Sequence, residues 1–403
     1  MRKPSVLLPV LALSLTAAVP CLAQAPAPAP APPQSPRFQM PPPTPNDTLT
    51  SVELSADHHV TFRLWAPSAI AVKLQAEGPE ATPGITPDQL NAYNGGVPMT
   101  KGDQGIWQAT IGPIAPGAYR YNFLVDGVVT VDPKNPLTSQ ALSQSRGLYE
   151  VPGARFDEYL PNVPHGAIAT VVYDSSVTHS QRRMHIYTPP GYEAGSSRLP
   201  VLYLLHGGGD SDNSWPTVGR AGAILDNLIA AGKASPMIVV MPAGHLSTSF
   251  RLSPGISMGH DEFNDDLASV VLPYIDAHYR TIPDRAHRAI AGLSMGGLQT
   301  LTIALNHSDL FASVGVFSSG WFPNALQEAQ DKDIAAYSRA NHPYQLFWVG
   351  VGQYDIALAN CHASIELLKK AGIQLEYHES PGYHAWNNWR DYLAIFAPKL
   401  FPN

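Results

Sequence analysis

The residues best suited to chemistry form a pentapeptide late in the chain, Gly292-Leu-Ser-Met-Gly296. The apolar run Ala289–Ala291 before it is typical of the end of a buried strand, and apolar residues at helical spacing follow it. A strand, a sharp turn with a serine at its tip and then a helix form the setting of a nucleophile elbow. The alternative is a glycine-rich turn with an incidental serine. We predict that Ser294 is a nucleophile and that the backbone N–H of Met295 faces an oxyanion.

A serine hydroxyl is a weak nucleophile at neutral pH, so it needs a base that is oriented by a carboxylate. His384 lies in a loop after the last predicted strand, at the carboxyl end, where open parallel sheets place their active sites. Four other histidines follow Ser294. His307 is predicted to end a helix and His342 to precede a strand, while His362 is predicted to lie inside a helix and His378 within a strand. His384 is therefore the predicted base.

The acid follows from the same rule. The predicted strand Gln345–Val351 leads into Gly352-Gln-Tyr-Asp355, so Asp355 is predicted to orient the histidine. Asp331 and Asp333 are expected to be solvated and badly placed. Serine, aspartate and histidine then follow one another in the chain order of α/β-hydrolases.

A second oxyanion donor is expected from a strand that ends in His206-Gly-Gly-Gly209. The N–H of Gly207 or Gly208 would join that of Met295, and such a donor contributes roughly 3–4 kcal/mol in the transition state. His206 is expected to support this loop. The histidines, His58 and His59 included, lack the spacing of metal ligands, so we predict no metal site.

The elements that must position these groups alternate between strands and helices from residue 165 onward. This pattern predicts an α/β-hydrolase domain over residues 165–403, with a mostly parallel eight-stranded sheet. The predicted strands are Ala169–Tyr173, Met184–Thr188, Pro200–His206, Met237–Pro242, Arg288–Ala291, Ser313–Ser318, Gln345–Val351 and Gln374–Glu379. The predicted helices are Gly219–Ala231, Asp261–Tyr279, Gly296–Asn306, Ile356–Ala371 and Trp389–Phe401.

Residues 50–153 read differently, as short strands at close spacing that predict a small all-β sandwich. Val60–Ala66 alternates with period two, and Asp126-Gly127 is a hairpin signal. No cluster of candidate catalytic residues falls here, and residues 154–164 are expected to be a linker. Trp65, Trp107 and Tyr121 are interpreted either as sugar-stacking rings or as core, with core favoured.

The N-terminal residues have the composition of a targeting signal. Residues 1–23 combine Arg2 and Lys3 with an apolar run and a small-residue cleavage site, which predicts a signal peptide and a secreted or periplasmic protein. A membrane anchor and a lipoprotein at Cys21 are less favoured alternatives. Ten of the 22 residues in 24–45 are proline, so residues 24–49 are expected to be an extended linker or a disordered tail. The one later cysteine, Cys361, is expected to be buried.

The overall composition narrows the class of partner. With 403 residues the chain has room for two domains, and a net charge of −7 without a basic patch argues against nucleic acid. No later apolar run reaches 18 residues, so we predict no retained transmembrane helix.

Two resemblances add to this interpretation. Residues 50–153 resemble the early-set sandwich of family 48 carbohydrate-binding modules in three runs: Val60-Thr-Phe-Arg-Leu-Trp-Ala-Pro, Gly117-Ala-Tyr-Arg-Tyr-Asn-Phe-Leu-Val-Asp-Gly and Asp132-Pro133. Residues 165–403 resemble carbohydrate esterase family 1, which includes feruloyl esterases, acetyl-xylan esterases and the esterase D group. The matching runs include Tyr187-Thr-Pro-Pro-Gly-Tyr, Leu204-Leu-His-Gly-Gly-Gly-Asp with Trp215, Ile238-Val-Val-Met-Pro, Gly292-Leu-Ser-Met-Gly-Gly and Gly382-Tyr-His with Trp389.

The second resemblance implies ester hydrolysis through an acyl-enzyme without a cofactor, with the family's nucleophile, acid and base at Ser294, Asp355 and His384. Two departures are Tyr354 in the acid loop, which is expected to reshape the pocket, and Asp276, where many members carry glutamate.

We therefore expect a secreted serine esterase that acts on feruloylated or acetylated xylan and releases ferulate or a related hydroxycinnamate. Acetyl-xylan esterase, periplasmic catecholate-siderophore esterase, acyl transfer to sugar and a non-catalytic carbohydrate-binding protein remain alternatives. The acyl group and the oligomeric state stay open.

The substrate-binding aromatics are expected among residues that flank the catalytic loops, namely Trp215, Tyr354, Tyr383 and Trp386. An accessory sandwich would be dispensable for small esters, whereas a sandwich that completes the active site would not.

Overall fold

A computed structural model describes residues 42–82, 84–153, 156–246, 262–321 and 327–402. The expected signal peptide and most of the expected linker at residues 24–49 lie outside the described residues. Within the described part, no helix combines the length and apolarity needed to cross a membrane.

The N-terminal part of the described chain is a β-sandwich. Its strands are β1 Val52–Leu54, β2 Val60–Trp65, β3 Val72–Ala76, β4 Val97–Pro98, β5 Thr100–Lys101, β6 Ile106–Ile111, β7 Gly117–Val125, β8 Val128–Thr130, β9 Thr138–Gln140 and β10 Ser145–Val151. One sheet has the order β1-β2-β6-β5, and the other has the order β4-β3-β7-β10-β9 with β8 beside β7. Alternate residues point inward, so Phe62, Tyr121 and Tyr149 meet in the core between the sheets.

The expectation that this region is all β is wrong at one point, because helix α1 (Pro87–Asn94) lies between β3 and β4. The helix begins with Thr86, whose side chain accepts from the N–H of Gln89, while the Gln89 side chain bonds back to the N–H of Thr86. Pro87 occupies the first turn. This capping box and proline are helix-start signals that a strand interpretation overlooks.

Two of the three candidate sugar-stacking rings lie in the sandwich core. Trp107 and Tyr121 are buried, and their polar atoms are used internally, by the carbonyl of Ala66 and the carboxylate of Asp132. Trp65 is half-buried and donates its indole N–H to the carbonyl of Gln104 at 2.9 Å.

The second half is an α/β-hydrolase fold, as predicted. Its strands are β11 Ala167–Ser175, β12 Ser180–Thr188, β13 Val201–Leu205, β14 Ile238–Pro242, β15 Arg288–Leu293, β16 Ser313–Phe317, β17 Leu346–Gly352 and β18 Glu376–Ser380. They form one sheet in the order β11-β12-β14-β13-β15-β16-β17-β18, in which β12 is antiparallel to both of its neighbours, β11 and β14, and all the pairs from β14 to β18 are parallel. The central strands are buried along their whole length, which is why they read as continuous apolar runs.

Helices cover both faces of this sheet. They are α2 Ala221–Ala230, α3 Glu262–Asp266, α4 Leu272–His278, α5 Met295–Asn306, α6 Gln327–Ala340, α7 Leu358–Lys370 and α8 Trp386–Phe396. A π-helical turn, Leu267–Val271, joins α3 to α4, where one continuous helix was predicted. Cys361 on α7 is buried, as expected.

Helix α6 lies between the predicted strands Ser313–Ser318 and Gln345–Val351, where no helix was predicted. The expectation that Asp333 in this helix is solvated is wrong. The Asp333 carboxylate is fully buried and accepts from the Asn306 side chain at 2.6 Å. The α6 sequence is polar and lacks a strong apolar stripe, so the periodicity that reveals helices is weak there.

The sandwich and the hydrolase fold belong to one compact unit, Thr44–Asn403. Arg390 on α8 is buried where they meet. Its guanidinium pairs with Asp157 at 2.7 Å and donates to the carbonyls of Ala118 on β7, at 2.8 Å, and Val218, at 3.1 Å. One side chain therefore joins the sandwich, the connecting segment and the hydrolase fold.

We expect Asp157→Ala to lower the free energy of unfolding by about 3–5 kcal/mol, because it leaves the Arg390 charge buried without a partner. Burial raises the pKa of Asp157, and the positive charges of Arg390 and Arg220, which lower it, do not fully offset this effect. The intact pair itself therefore contributes little net stability. Urea unfolding measures the change. Glu366→Ala, which removes an exposed pair with Lys369, is the control and should leave the midpoint unchanged. Equal midpoints for both variants would contradict the joining role of Arg390.

Candidate active site

The three predicted catalytic side chains form one hydrogen-bonded series. The Ser294 hydroxyl donates to Nε2 of His384 at 3.0 Å, and Nδ1–H of His384 donates to Oδ1 of Asp355 at 2.7 Å. They come from the ends of β15, β18 and β17, which meet at the carboxyl edge of the parallel sheet. The structure thus brings together residues that lie up to 90 positions apart in the sequence.

The turn that carries Ser294 is strained in the manner of a nucleophile elbow. Ser294 has a φ of 52° and a ψ of −117°, a backbone region that side chains rarely adopt. A Cβ on Gly292 would collide with the carbonyl oxygen of Gly296, and one on Gly296 would lie 2.5 Å from the carbonyl oxygen of His206. The glycines are therefore required both by the turn and by its contact with the end of β13.

Asp355 is built to stay ionised. Its Oδ1 also accepts from the N–H of Ala357 at 2.8 Å. Burial acts to raise the pKa of Asp355, but the hydrogen bond and charge of His384 outweigh it and hold that pKa below its usual range. The ring of His384 packs edge-on against Trp389, with the centroids 5.1 Å apart. The imidazole is thus held from two sides.

The loop after β13 lies against the elbow. His206 donates from Nδ1 to the carbonyl of Gly207 at 2.8 Å and accepts from the N–H of Gly244 at Nε2, at 2.9 Å. Burial lowers the pKa of His206, so it serves as a neutral support for the loop. A Cβ on Gly207 would lie 2.6 Å from the Leu293 side chain, so this loop and the elbow are in direct contact. Gly207, Gly208 and the first turn of α5 at Met295 therefore converge near Ser294.

Ser294 and His384 open into a cavity of about 460 Å³. The hydrolase fold provides one side, with Gly207, Gly208, Gly209, Asp210, Leu293, Tyr354, Ile356, Tyr383, Ala385, Trp386 and Trp389. The sandwich provides the other side, with Ala76, Glu77, Glu80, Leu90 and Arg120. The sequence carries no signal for this second wall, since these residues read as parts of strands and connections in a region without a catalytic cluster.

Three of the four aromatic residues expected to bind substrate line this cavity, and Trp215 does not. Trp215 is 1% exposed, donates its indole N–H to the carbonyl of Leu205 at 3.1 Å and packs edge-on against Trp386. It therefore belongs to the core. Tyr354 is 58% exposed at the rim and stacks on Tyr383 with centroids 5.2 Å apart.

Tyr383 connects the two walls. Its hydroxyl donates to the carbonyl of Ile85, in the segment between β3 and β4, at 3.0 Å. Because Tyr383 precedes His384, this bond ties the histidine loop to the sandwich.

A buried ion pair ties the sandwich to the glycine loop as well. Arg120 on β7 donates to Oδ1 of Asp210 at 2.7 Å and to Oε1 of Glu77 at 3.0 Å. The N–H of Leu142, in the loop after β9, donates to the carbonyl of Gly209 at 3.2 Å. The sandwich therefore fixes the loop that carries Gly207 and Gly208 from both a side chain and the backbone.

Further bonds extend this clamp along residues 211–217. The carbonyl of Gln140 accepts from the hydroxyls of Ser211, at 3.0 Å, and Ser214, at 3.1 Å, and the hydroxyls of Ser139 and Thr217 lie 2.7 Å apart. These contacts favour the expectation that the sandwich completes the active site over the expectation that it is a dispensable accessory. Among the described residues, no group of three histidine, cysteine or carboxylate side chains could hold a metal ion.

Fold and site together define a hydrolase of the α/β class in which Ser294 lies at an elbow after the fifth strand in chain order. Residues 175–399, more than half of the chain, match the family described as putative esterase. The chain belongs to this family and is a carboxylic ester hydrolase. Residues 50–135 match carbohydrate-binding module 48, the isoamylase N-terminal domain. Both resemblances drawn from the sequence are confirmed.

Three known proteins resemble this chain over 59% to 84% of its length. An endo-1,4-beta-xylanase/feruloyl esterase of Xylanibacter ruminicola is 34% identical over 337 residues, which are 82% of this chain and 44% of that protein. The chain thus spans less than half the length of this relative. A solved ferulic acid esterase is 27% identical with a TM-score of 0.50, over 59% of this chain and 97% of that chain. The enterobactin esterase of Shigella flexneri covers 84% of this chain and 92% of its own, with a TM-score of 0.60, and at 17% identity it shows the fold alone.

We expect Arg120→Met to lower kcat on p-nitrophenyl acetate about tenfold or more. The change removes the clamp on the glycine loop, and loss of one oxyanion donor costs about 10²–10³ in kcat. Steady-state kinetics on folded protein, checked by thermal melting, measures the effect.

Arg63→Met is the matched control, because Arg63 pairs with Glu53 on the far sheet of the same sandwich. It should leave kcat unchanged. A variant at Arg120 that melts earlier yet keeps full kcat would show that the ion pair supports the fold and not the loop.

Proposed function

We propose that this protein hydrolyses hydroxycinnamate esters, ferulate above all, on xylan through an acyl-enzyme at Ser294. The observation that carries the proposal is the hydrogen-bonded series Ser294–His384–Asp355 at the floor of a cavity with an aromatic wall. The xylanase/feruloyl esterase relative supports the choice of substrate. We further propose that the protein is exported, since residues 1–23 have the composition of a signal peptide and the substrate is a polymer.

The proposal assigns each step of the reaction to a group in this cavity. Ser294 Oγ attacks the ester carbonyl while its proton passes to Nε2 of His384, and Asp355 stabilises the imidazolium that forms. The N–H groups of Met295 and of Gly207 or Gly208 hold the developing oxyanion. His384 then protonates the departing alcohol, and water, activated by the same histidine, releases the acid.

The aromatic wall favours a ring-bearing acyl group over acetate. Trp386 and Trp389 line the cavity beside Ser294, and Tyr354 and Tyr383 stack at its rim. An aromatic contact adds about 0.5–1.5 kcal/mol beyond the area that it buries. Two such contacts in the transition state would give about tenfold discrimination.

Ser294→Ala should reduce kcat by several orders of magnitude, to the residual rate that the oxyanion hole and binding provide. His384→Ala should be similarly poor. Asp355→Asn should cost about 10⁴, because it favours the wrong histidine tautomer. Hydrolysis of methyl ferulate measures all three.

The control is His362→Ala, since His362 also bonds to a carboxylate, Glu379, but lies on the outer face of α7. It should keep full activity. Turnover that survives purification of the Ser294 variant would refute the assignment of the nucleophile.

The substrate is tested with three esters: methyl ferulate, an acetylated xylo-oligosaccharide and a cyclic catecholate trilactone. We expect kcat/KM to be about tenfold higher for methyl ferulate than for the acetyl ester. Tyr354→Ala should lower kcat/KM on methyl ferulate about two- to tenfold and leave the acetyl ester unaffected. Tyr377→Ala, at another exposed tyrosine, is the control. Faster cleavage of the acetyl ester or of the trilactone would replace ferulate in the proposal.

A further inference from the structure

The sandwich contributes a carboxyl group to the cavity that Ser294 lines. Glu80 lies in the short 3₁₀ turn Pro79–Ala81, directly after β3, and lines the same cavity as Ser294 and His384. Its Oε2 accepts from the N–H of Gly78 at 2.8 Å. Among the described residues, no residue other than Gly78 and Glu80 itself forms a hydrogen bond with this carboxyl group. One polar atom of the sandwich wall is therefore open to a ligand in this cavity.

The nearby cations are already paired elsewhere. Glu77 takes a bond of 2.6 Å from Arg146 and one of 3.0 Å from Arg120, and Arg120 also binds Asp210. Burial, together with the negative charge of Glu77, raises the pKa of Glu80 to about 7. At and below neutral pH a large share of Glu80 therefore carries a proton, and the group acts as a neutral acid.

A neutral carboxyl group both donates and accepts, which is also what a hydroxyl group does. The walls around Glu80 include the apolar and aromatic side chains of Leu90, Trp386 and Trp389. In a largely apolar pocket, a few placed polar groups fix the orientation of the ligand. A ligand hydroxyl group matches both functions of this neutral acid.

We propose that the Glu80 carboxyl group binds a hydroxyl group of the ester whose carbonyl reaches Ser294, and thereby selects hydroxylated substrates over their methyl ethers. This inference rests on the proposed function. The hydroxyl has two possible sources, the phenol of the acyl group or the sugar that is the alcohol, and both offer the same chemistry to Glu80.

The test compares two matched pairs of substrates in the full-length enzyme at pH 6. The first pair is methyl ferulate and methyl 3,4-dimethoxycinnamate, which differ in the phenolic hydroxyl. The second pair is a feruloylated methyl arabinofuranoside and the same compound with its sugar hydroxyls methylated. The quantity measured is the ratio of kcat/KM within each pair. This ratio does not depend on the fraction of enzyme that is folded, so a destabilised variant still gives a valid result.

We expect the wild type to favour the hydroxylated member of one pair by about three- to tenfold, the value of one neutral hydrogen bond. Glu80→Leu should bring that ratio close to one, while Glu80→Gln, which keeps a donor and an acceptor, should retain most of it. Glu53→Leu, on the outer strand β1, is the control and should keep the wild-type ratios. The pair that responds identifies the source of the hydroxyl.

Ratios that are unchanged in both pairs by Glu80→Leu would overturn the inference and leave the proposed function standing. A wild type that favours neither hydroxylated substrate would do the same. A wild type that cleaves no feruloyl ester would overturn both the inference and the proposed function.

Discussion

A buried guanidinium holds this esterase in its working arrangement. Arg120 of the sandwich lies between Glu77 of its own domain and Asp210 of the glycine loop. Removing charges from water costs several kcal/mol per ion, and the cost is offset only if the partners keep close geometry. The docked sandwich therefore adds a buried ion pair to the bonds that hold the loop with the two oxyanion candidates, Gly207 and Gly208.

The contacts between the sandwich and the glycine loop indicate that the sandwich has more than a tethering role. A binding module that only tethers an enzyme to a polymer needs a linker and a free surface. Here Arg120, Leu142 and Gln140 bond to the loop beside the reactive serine, and Ile85 accepts from the residue before His384. The chemistry belongs to one fold, but the cavity in which it takes place belongs to two.

The sequence predicted the parts of the site that local rules govern. The elbow at Ser294 is marked by its glycines, and the positions of Asp355 and His384 follow from the rule that parallel strands end at a common edge. Trp215 was misjudged because an aromatic residue after a glycine loop looks the same whether it faces a cleft or donates its N–H to Leu205 in the core. The second wall could not be predicted at all. Arg120 lies 90 residues from Asp210, and no local pattern records a pairing made by the docking of two folds. Helix α6 was missed because a polar helix lacks the apolar stripe that periodicity detects.

The stretch between β3 and β4 has a consequence for how this enzyme can change. Its two ends are held by the paired strands, with Leu74 opposite Val97. Within it Glu77 pairs with Arg120 and the carbonyl of Ile85 accepts from Tyr383, so the part that can vary is helix α1. The stretch provides Glu80 and Leu90 to the cavity but none of the residues that make or break the ester bond. An exchange at Leu90 of α1 would alter which esters enter without altering the groups proposed to cleave them. Changes confined to α1 can therefore shift the substrate range while Glu77 and Ile85, a few residues earlier, keep the catalytic loops in place.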